Sequence, residues 1–162
     1  MGSGKSYLGS RLASRLGVGF VDTDIIISET YNLSISKIFE TEGEQKFRQK
    51  ESDVLNTIMR DSLPKVVAVG GGLPCHSNNM ERMNNSGYTI FLDCPTDVLV
   101  KRIKNSEDRP LIKGHEGNLD IYVRELLQQR RQEYQSSDLI LKNPSLEDLV
   151  SFTSGILGSE SQ

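Results

Sequence analysis

The sequence predicts an α/β fold, a parallel sheet with helices on both faces, and two observations carry that expectation. Apolar, β-branched runs at Val66–Val69, Tyr88–Leu92 and Leu139–Leu141 alternate with stretches of helical periodicity, as a sheet covered on both sides requires. Ahead of them, Gly2-Ser3-Gly4-Lys5-Ser6 leads directly into the helical pattern Tyr7–Leu16, and Phe20-Val21-Asp22 reads as a buried strand ending in an acid. A glycine-rich loop, a helix and an acid-tipped strand form half of a nucleotide-binding unit.

The chain's 162 residues fit one domain, 1–162, able to bury a core. An apolar content of 36% with 25% charged residues is that of a soluble globular protein, and no apolar run is long enough to span a bilayer. The net charge of −3 argues against a dedicated nucleic-acid binder, whose phosphate contacts need a basic surface, and favours a small anionic ligand held by a local site. Cys75 and Cys94 have no metal-type spacing and no signal peptide is visible, so reduced thiols in a cytoplasmic protein are expected.

The opening loop carries the later part of the pattern G-x-x-x-x-G-K-[ST]. Backbone N–H groups of Gly2, Ser3, Gly4, Lys5 and Ser6 can wrap phosphate oxygens, Lys5 can reach the β- and γ-phosphates, and the Ser6 hydroxyl can ligate Mg²⁺. The alternative is a chance GSGKS string in an ordinary loop. Leu8, Leu12 and Leu16 at four-residue spacing, with Gly17 placed to end a helix, favour the first reading. The pattern's first glycine would lie five residues before Gly4, ahead of this sequence, and no strand precedes the loop. The expectation is therefore either a start internal to a longer protein or a loss of residues ahead of Met1.

After the first strand, Asp22-Thr23-Asp24 opens a helical region, 23–60, with patterns near Ile25–Tyr31, Ile35–Glu42 and Glu44–Arg60, a candidate substrate-binding insertion. Alternation sends Asp22 and Asp24 the same way, toward the carboxyl edge where open α/β sheets bind ligands. One can hold hydrated Mg²⁺ and the other a hydroxyl, or either can simply cap the next helix. Phe47, Glu51, Val54, Leu55 and Ile58 share one helical face, and Arg48 points about 100° from Phe47, toward water or toward a ligand. Gly70-Gly71-Gly72, directly after a strand, allows a close backbone approach to a ligand or a flexible turn.

The polar segment 105–118, with Pro110, Gly114 and Gly117 between two helices, reads as a lid in which Arg109 can swing onto phosphates or remain a surface charge. Arg130 and Arg131 precede Tyr134 near a helix end, where cations also complement the helix dipole. His76 and His115 lack metal partners at recognised spacing. A last amphipathic helix follows Asn143-Pro144-Ser145, with fraying expected from Gly158.

Taken in order, GSGKS at Gly2–Ser6, DTD at Asp22–Asp24, EGEQKFRQKE at Glu42–Glu51, GGG at Gly70–Gly72, DRPL at Asp108–Leu111 and RRQEY at Arg130–Tyr134 resemble the shikimate kinases across nearly the whole chain. The resemblance implies a three-layer α/β/α P-loop kinase whose five parallel strands run in the order 2-3-1-4-5, with strand 1 missing from this sequence. It implies that ATP phosphorylates the 3-hydroxyl of shikimate on the way to chorismate and the aromatic amino acids, by a protein expected to be a monomer that engages neither nucleic acid nor membrane. By resemblance, Asp24 orients the acceptor hydroxyl and can take its proton, Arg48 and Arg130 grip the shikimate carboxylate, and the Gly70, Gly71 and Gly72 backbone lines the same pocket. Lys5 and Arg109 neutralise the migrating phosphoryl group, Ser6 binds Mg²⁺ directly and Asp22 binds it through water; Gly2 to Tyr7 and Arg102 complete the ATP side. Gln132 stands where the family has proline two residues after the substrate arginine, which leaves Arg130 the better match over its neighbour Arg131. The alternatives are a shikimate-kinase-like binding protein without turnover, or another small-molecule kinase of this size such as a gluconate kinase.

Overall fold

The computed structural model describes residues 2–104 and 116–159. The helix α1 spans Lys5–Leu16 and packs its Gly9 face so tightly on Phe20 that a β-carbon at Gly9 would lie 3.0 Å from that ring. Gly17 ends α1 in the left-handed region (φ 68°), its cap returning N–H bonds to Ala13 and Ser14 carbonyls. Then follow β1 (Gly19–Asp22), α2 (Thr23–Tyr31) and the long α3 (Ile35–Arg60), which breaks at Gly43 (φ 81°, ψ 171°), between the two helical patterns expected there. Next come β2 (Lys65–Ala68), a single 3₁₀ turn at Leu73–Cys75, α4 (Asn79–Asn84), β3 (Ile90–Asp93) and α5 (Thr96–Lys104). A 3₁₀ turn at Glu116–Asn118 leads into α6 (Leu119–Gln135), followed by β4 (Leu139–Lys142) and α7 (Leu146–Ser159), which runs past the point where fraying is expected. Residues 105–115 of the expected lid, Arg109 and His115 among them, lie outside the described residues.

The strands pair in parallel as expected, Gly19 to Asp22 against Lys65 to Ala68 and Ile90 to Asp93 against Leu139 to Lys142. They form two separate two-stranded sheets, β1-β2 and β3-β4, instead of one continuous sheet. The interior is divided to match. One apolar cluster joins Ile27 and Ile38 to Phe47 and Val54 across α2 and α3; the other joins Leu99, Val100 and Ile103 of α5 to Leu119 and Val123 of α6. Burial of such side chains stabilises each half by roughly 1.5–3 kcal/mol per residue. Between the halves runs a cavity of about 640 Å³ bordered by every residue of β2 and of β3. Among the described residues no helix is long and apolar enough to cross a membrane, and both Cys75 and Cys94 are free thiols.

Candidate active site

The first turn of α1 is left open to an anion by its own sequence. Gly2 (φ 73°) and Gly4 (φ 88°) take left-handed conformations that only glycine adopts without strain, and Gly4 caps α1 without contributing a side-chain acceptor. The first N–H groups of α1 and the positive end of its dipole thus point into one concavity. Arg102 on α5 borders it, Nη1 donating to the carbonyls of Gly2 and Ser3 at 3.2 Å each. Tyr7, in the same turn, is 60% exposed and lies with its ring 4.3 Å from Arg11 Cζ.

The carboxyl end of β1 meets this loop. Ser6 Oγ donates to Asp22 Oδ2 at 2.5 Å, and the other Asp22 oxygen accepts the Asp24 N–H at 3.0 Å. Asp22 therefore caps α2 through one oxygen while the other faces the loop. Lys5 Nζ lies 3.6 Å from Asp22 Oδ2 and 3.6 Å from Asp24 Oδ2. Asp22 is buried, whereas the Asp24 carboxylate is 42% exposed and open to a bound molecule. The intervening Thr23 is fully buried and its Oγ1 accepts the Gly70 N–H at 2.9 Å, which ties the first glycine of the GGG turn to the DTD corner.

That turn is built for close approach. A β-carbon at Gly70 would lie 2.7 Å from Asp24 Oδ1 and 3.0 Å from Glu51 Oε1, and one at Gly72 would lie 2.8 Å from Arg48 Cζ. The Gly71 carbonyl accepts the Tyr134 hydroxyl at 2.5 Å, joining α6 to the same wall. Arg48 is far from the solvated charge its helix position alone permits: its side chain is only 11% exposed, with Nη1 donating to Glu51 Oε2 at 2.6 Å and Nη2 to Glu44 Oε1 at 2.8 Å. Burial by itself works against its charge, but the hydrogen bonds and charges of Glu51 and Glu44 override it and hold the guanidinium protonated. Burial lifts the Glu51 carboxyl above its ordinary range despite the Arg48 bond; the bond to Arg48 lowers Glu44.

Arg130 turns toward the same place, its charge acting on Glu44, Glu51, His76 and Tyr134. Arg131 turns away to Asp93 at 3.8 Å. The family pattern favours Arg130 over its neighbour, and the turn of α6 gives the two arginines different surroundings. Loop, DTD corner, GGG turn, Arg48 and Arg130 are thus brought to one cleft. Thr23, Glu44, Glu51 and Tyr134 are members that the sequence did not assign to a site. Glu51 had left a signal, a lone acid on the otherwise apolar face Phe47, Val54 and Leu55.

An anion loop at one end, an arginine pair at the other and the part-exposed Asp24 carboxylate beside Lys5 between them suit transfer of a phosphoryl group to a small acid bearing a hydroxyl. Comparisons with known proteins agree. The family model for shikimate kinase matches residues 1–153. A shikimate kinase of Clostridium botulinum (strain Okra / Type B1) is 35% identical over 148 residues, 90% of this chain and 85% of that protein. The crystal structure of a shikimate kinase from Bacteroides thetaiotaomicron superposes with a TM-score of 0.86 at 31% identity, covering 98% of this chain and 94% of that one. One from Acinetobacter baumannii in complex with shikimate gives 0.86 at 30% identity, covering 99% and 89%.

Proposed function

This chain belongs to the shikimate kinase family, and from that premise we propose how its residues carry out the reaction. The protein is a kinase that uses ATP to phosphorylate the 3-hydroxyl of shikimate, yielding shikimate 3-phosphate for chorismate and aromatic amino acid synthesis. The single observation that carries the assignment of roles is the position of Lys5, 3.6 Å from both Asp22 and Asp24, where the phosphate loop and the acceptor's carboxylate meet.

The phosphates of ATP sit in the loop Gly2–Ser6, cradled by backbone N–H groups with Lys5 reaching the β- and γ-phosphates, and Tyr7 and Arg102 lie at the nucleotide's edge. Asp24 accepts a hydrogen bond from the substrate 3-hydroxyl and takes its proton as the oxygen bonds to phosphorus; the bond to the β,γ-bridging oxygen breaks and ADP departs. Arg48 and Arg130 grip the substrate carboxylate, and the Gly70–Gly72 backbone lies close along its ring. Arg109 of the 105–118 lid adds charge to the migrating phosphoryl group, and region 23–60 supplies most of the acceptor pocket.

The Ser6 hydroxyl and Asp22 carboxylate, 2.5 Å apart, are hard oxygen donors of the kind Mg²⁺ takes, Ser6 directly and Asp22 through water. When bound there, Mg²⁺ would neutralise charge on the β- and γ-phosphates. The protein acts as a monomer, in the cytoplasm, on small molecules alone. ADP release measured with Mg-ATP and either shikimate or gluconate tests this reading: turnover with shikimate only is expected, and folded protein without shikimate-dependent turnover overturns it.

A further inference from the structure

The three glycines of the cleft wall are tied to the fold from different sides. Thr23 Oγ1 accepts the Gly70 N–H at 2.9 Å, which fixes the first glycine to α2. Tyr134 donates its hydroxyl to the Gly71 carbonyl at 2.5 Å, which fixes the second to α6. The third, Gly72, lies against the Arg48 guanidinium, while its carbonyl accepts the Cys75 N–H at 3.1 Å inside its own turn. Its link to α3, the helix that carries Arg48, runs through Arg82 on α4. Arg82 Nη1 donates to Ser52 Oγ at 3.2 Å and to Asn79 Oδ1 at 2.7 Å, and Nη2 donates to Asn56 Oδ1. Asn79, itself 1% exposed, passes the contact on: its Nδ2 donates to the Leu73 carbonyl at 3.0 Å. Leu73, the residue after Gly72, is fully buried and returns its N–H to the Gly70 carbonyl at 3.0 Å.

Ser52 and Asn56 follow Arg48 at intervals of four along α3, so the three share one helical face. The face that sets Arg48 against Gly72 is therefore the face that Arg82 holds, one and two turns further on. Among the described residues every side-chain acceptor of Arg82 is neutral, one hydroxyl and two amides. A half-buried cation without a carboxylate gains little from ion pairing to offset its lost hydration. Its planar fork, donating in fixed directions to two helices at once, suits the setting of a distance. We infer that Arg82 is a positioning residue for the acceptor: through Asn79 and Leu73 it sets the separation of Gly72 from α3, and with it the aim of the Arg48 guanidinium at the substrate carboxylate. The inference rests on the proposed grip of that carboxylate by Arg48. Arg82 acts from behind the pocket wall and leaves the phosphate side to Lys5 and the hydroxyl to Asp24.

Its test is Arg82→Met, which keeps the length of the side chain and removes its donors. The shikimate KM should rise about tenfold while kcat and the ATP KM stay within about twofold of the parent. A second readout separates aim from general loosening: the Kd values of shikimate and of its neutral carboxamide. A displaced Arg48 weakens the acid, so the preference for acid over amide should fall about tenfold, whereas a loosened pocket would weaken both alike. Asn56→Ala, which leaves Arg82 its bonds to Ser52 and Asn79, should shift the same two readouts in the same direction, and joining it to Arg82→Met should add little, as for residues of one link. Should Arg82→Met fail to fold, Asn56→Ala decides by the same measurements. A parent-like shikimate KM in the folded variant, or an equal loss for acid and amide, overturns the inference. Arg48→Ala is measured alongside: an unchanged shikimate KM there would overturn the carboxylate grip and the inference together, while a raised one beside a parent-like Arg82→Met would overturn the role of Arg82 alone.

Discussion

Arg48 Nη1 lies 2.6 Å from Glu51 Oε2, in a pair where the acid is 2% and the base 11% exposed at the side chain. The two sit one turn apart on α3, and the acid occupies the helix's apolar face, so the pair fixes the guanidinium plane against Gly72. Removing the acid leaves a half-buried cation without its main partner, a change that typically costs about 3–5 kcal/mol. Glu51→Ala should lower Tm by about 10 °C and raise the shikimate KM. Glu51→Gln, which keeps an oxygen acceptor, should recover much of the stability. Thermal melts and steady-state kinetics on both variants check this, and an unchanged KM in a folded Glu51→Ala protein would show that the pair does not orient Arg48 for substrate.

Glu44 stands at the other side of the same fork. Its Oε1 accepts from both Arg48 Nη2 at 2.8 Å and Nε at 3.2 Å, occupying N–H groups that a substrate carboxylate would use. Because Glu44 is largely solvated, the contact is worth about 0.5–1 kcal/mol at most. Glu44→Ala should therefore reduce the shikimate KM by about two- to fivefold with kcat nearly constant. A KM that rises would mean Glu44 assists binding instead of competing with it.

Asp24 is held by its N–H to Asp22 and by its place beside Lys5, while its carboxylate stays open to the cleft. Asp24→Asn keeps the shape and removes the base. ATP binding should persist while kcat falls by about a hundredfold or more; near-normal kcat would remove Asp24 as the group that takes the proton.

Gly72→Ala probes the close approach of the third glycine. The new methyl would press on the Arg48 guanidinium, which Glu51 and Glu44 keep from yielding freely. The backbone at Gly72 is right-handed (φ −89°), so the substitution brings no strain of its own. Shikimate KM should rise by about tenfold or more, equivalent to about 1.4 kcal/mol, with little change in Tm. A larger loss of stability than of affinity would assign Gly72 to the fold and not to the pocket.

Much of this architecture is legible in local sequence because local physics decides it. Gly17 and Gly43 punctuate helices at positions where φ is positive, and the four strands appear at their apolar runs within a residue or two. What the sequence hides depends on the third dimension. Arg48 in isolation reads as a solvated charge until α3 sets it beside Gly72, and Arg130, favoured over Arg131 by the family pattern, is set apart in space only once α6 turns Arg131 toward Asp93. Thr23 gives no sign in the sequence that its hydroxyl will hold the Gly70 N–H, a bond across 47 positions. The four strands were readable; that they pair as two separate sheets around an apolar slot is seen only in their pairing.

His76 connects this site to pH. Burial lowers its pKa first, and the positive charge of Arg48 lowers it further, against the pull of Glu44. The folded protein thus holds His76 neutral at pH values where the unfolded chain, with an ordinary pKa of about 6.5, has begun to protonate it. Over that window the unfolded state binds more protons, so stability rises with pH. The His76 contribution is complete above the unfolded value and is lost as pH falls through the unfolded pKa toward the lowered folded one. His76→Gln, which carries no titrating group, should flatten the acid side of the Tm profile in this window while leaving the profile at pH 8 nearly parallel to that of the parent. Glu44, lowered by its bond to Arg48, loses its own contribution at more acidic pH, so a second decline should remain in the variant. Melting curves taken from pH 4 to pH 8 on both proteins decide the point: identical slopes between pH 5 and pH 7 would place His76 outside the groups that set acid stability.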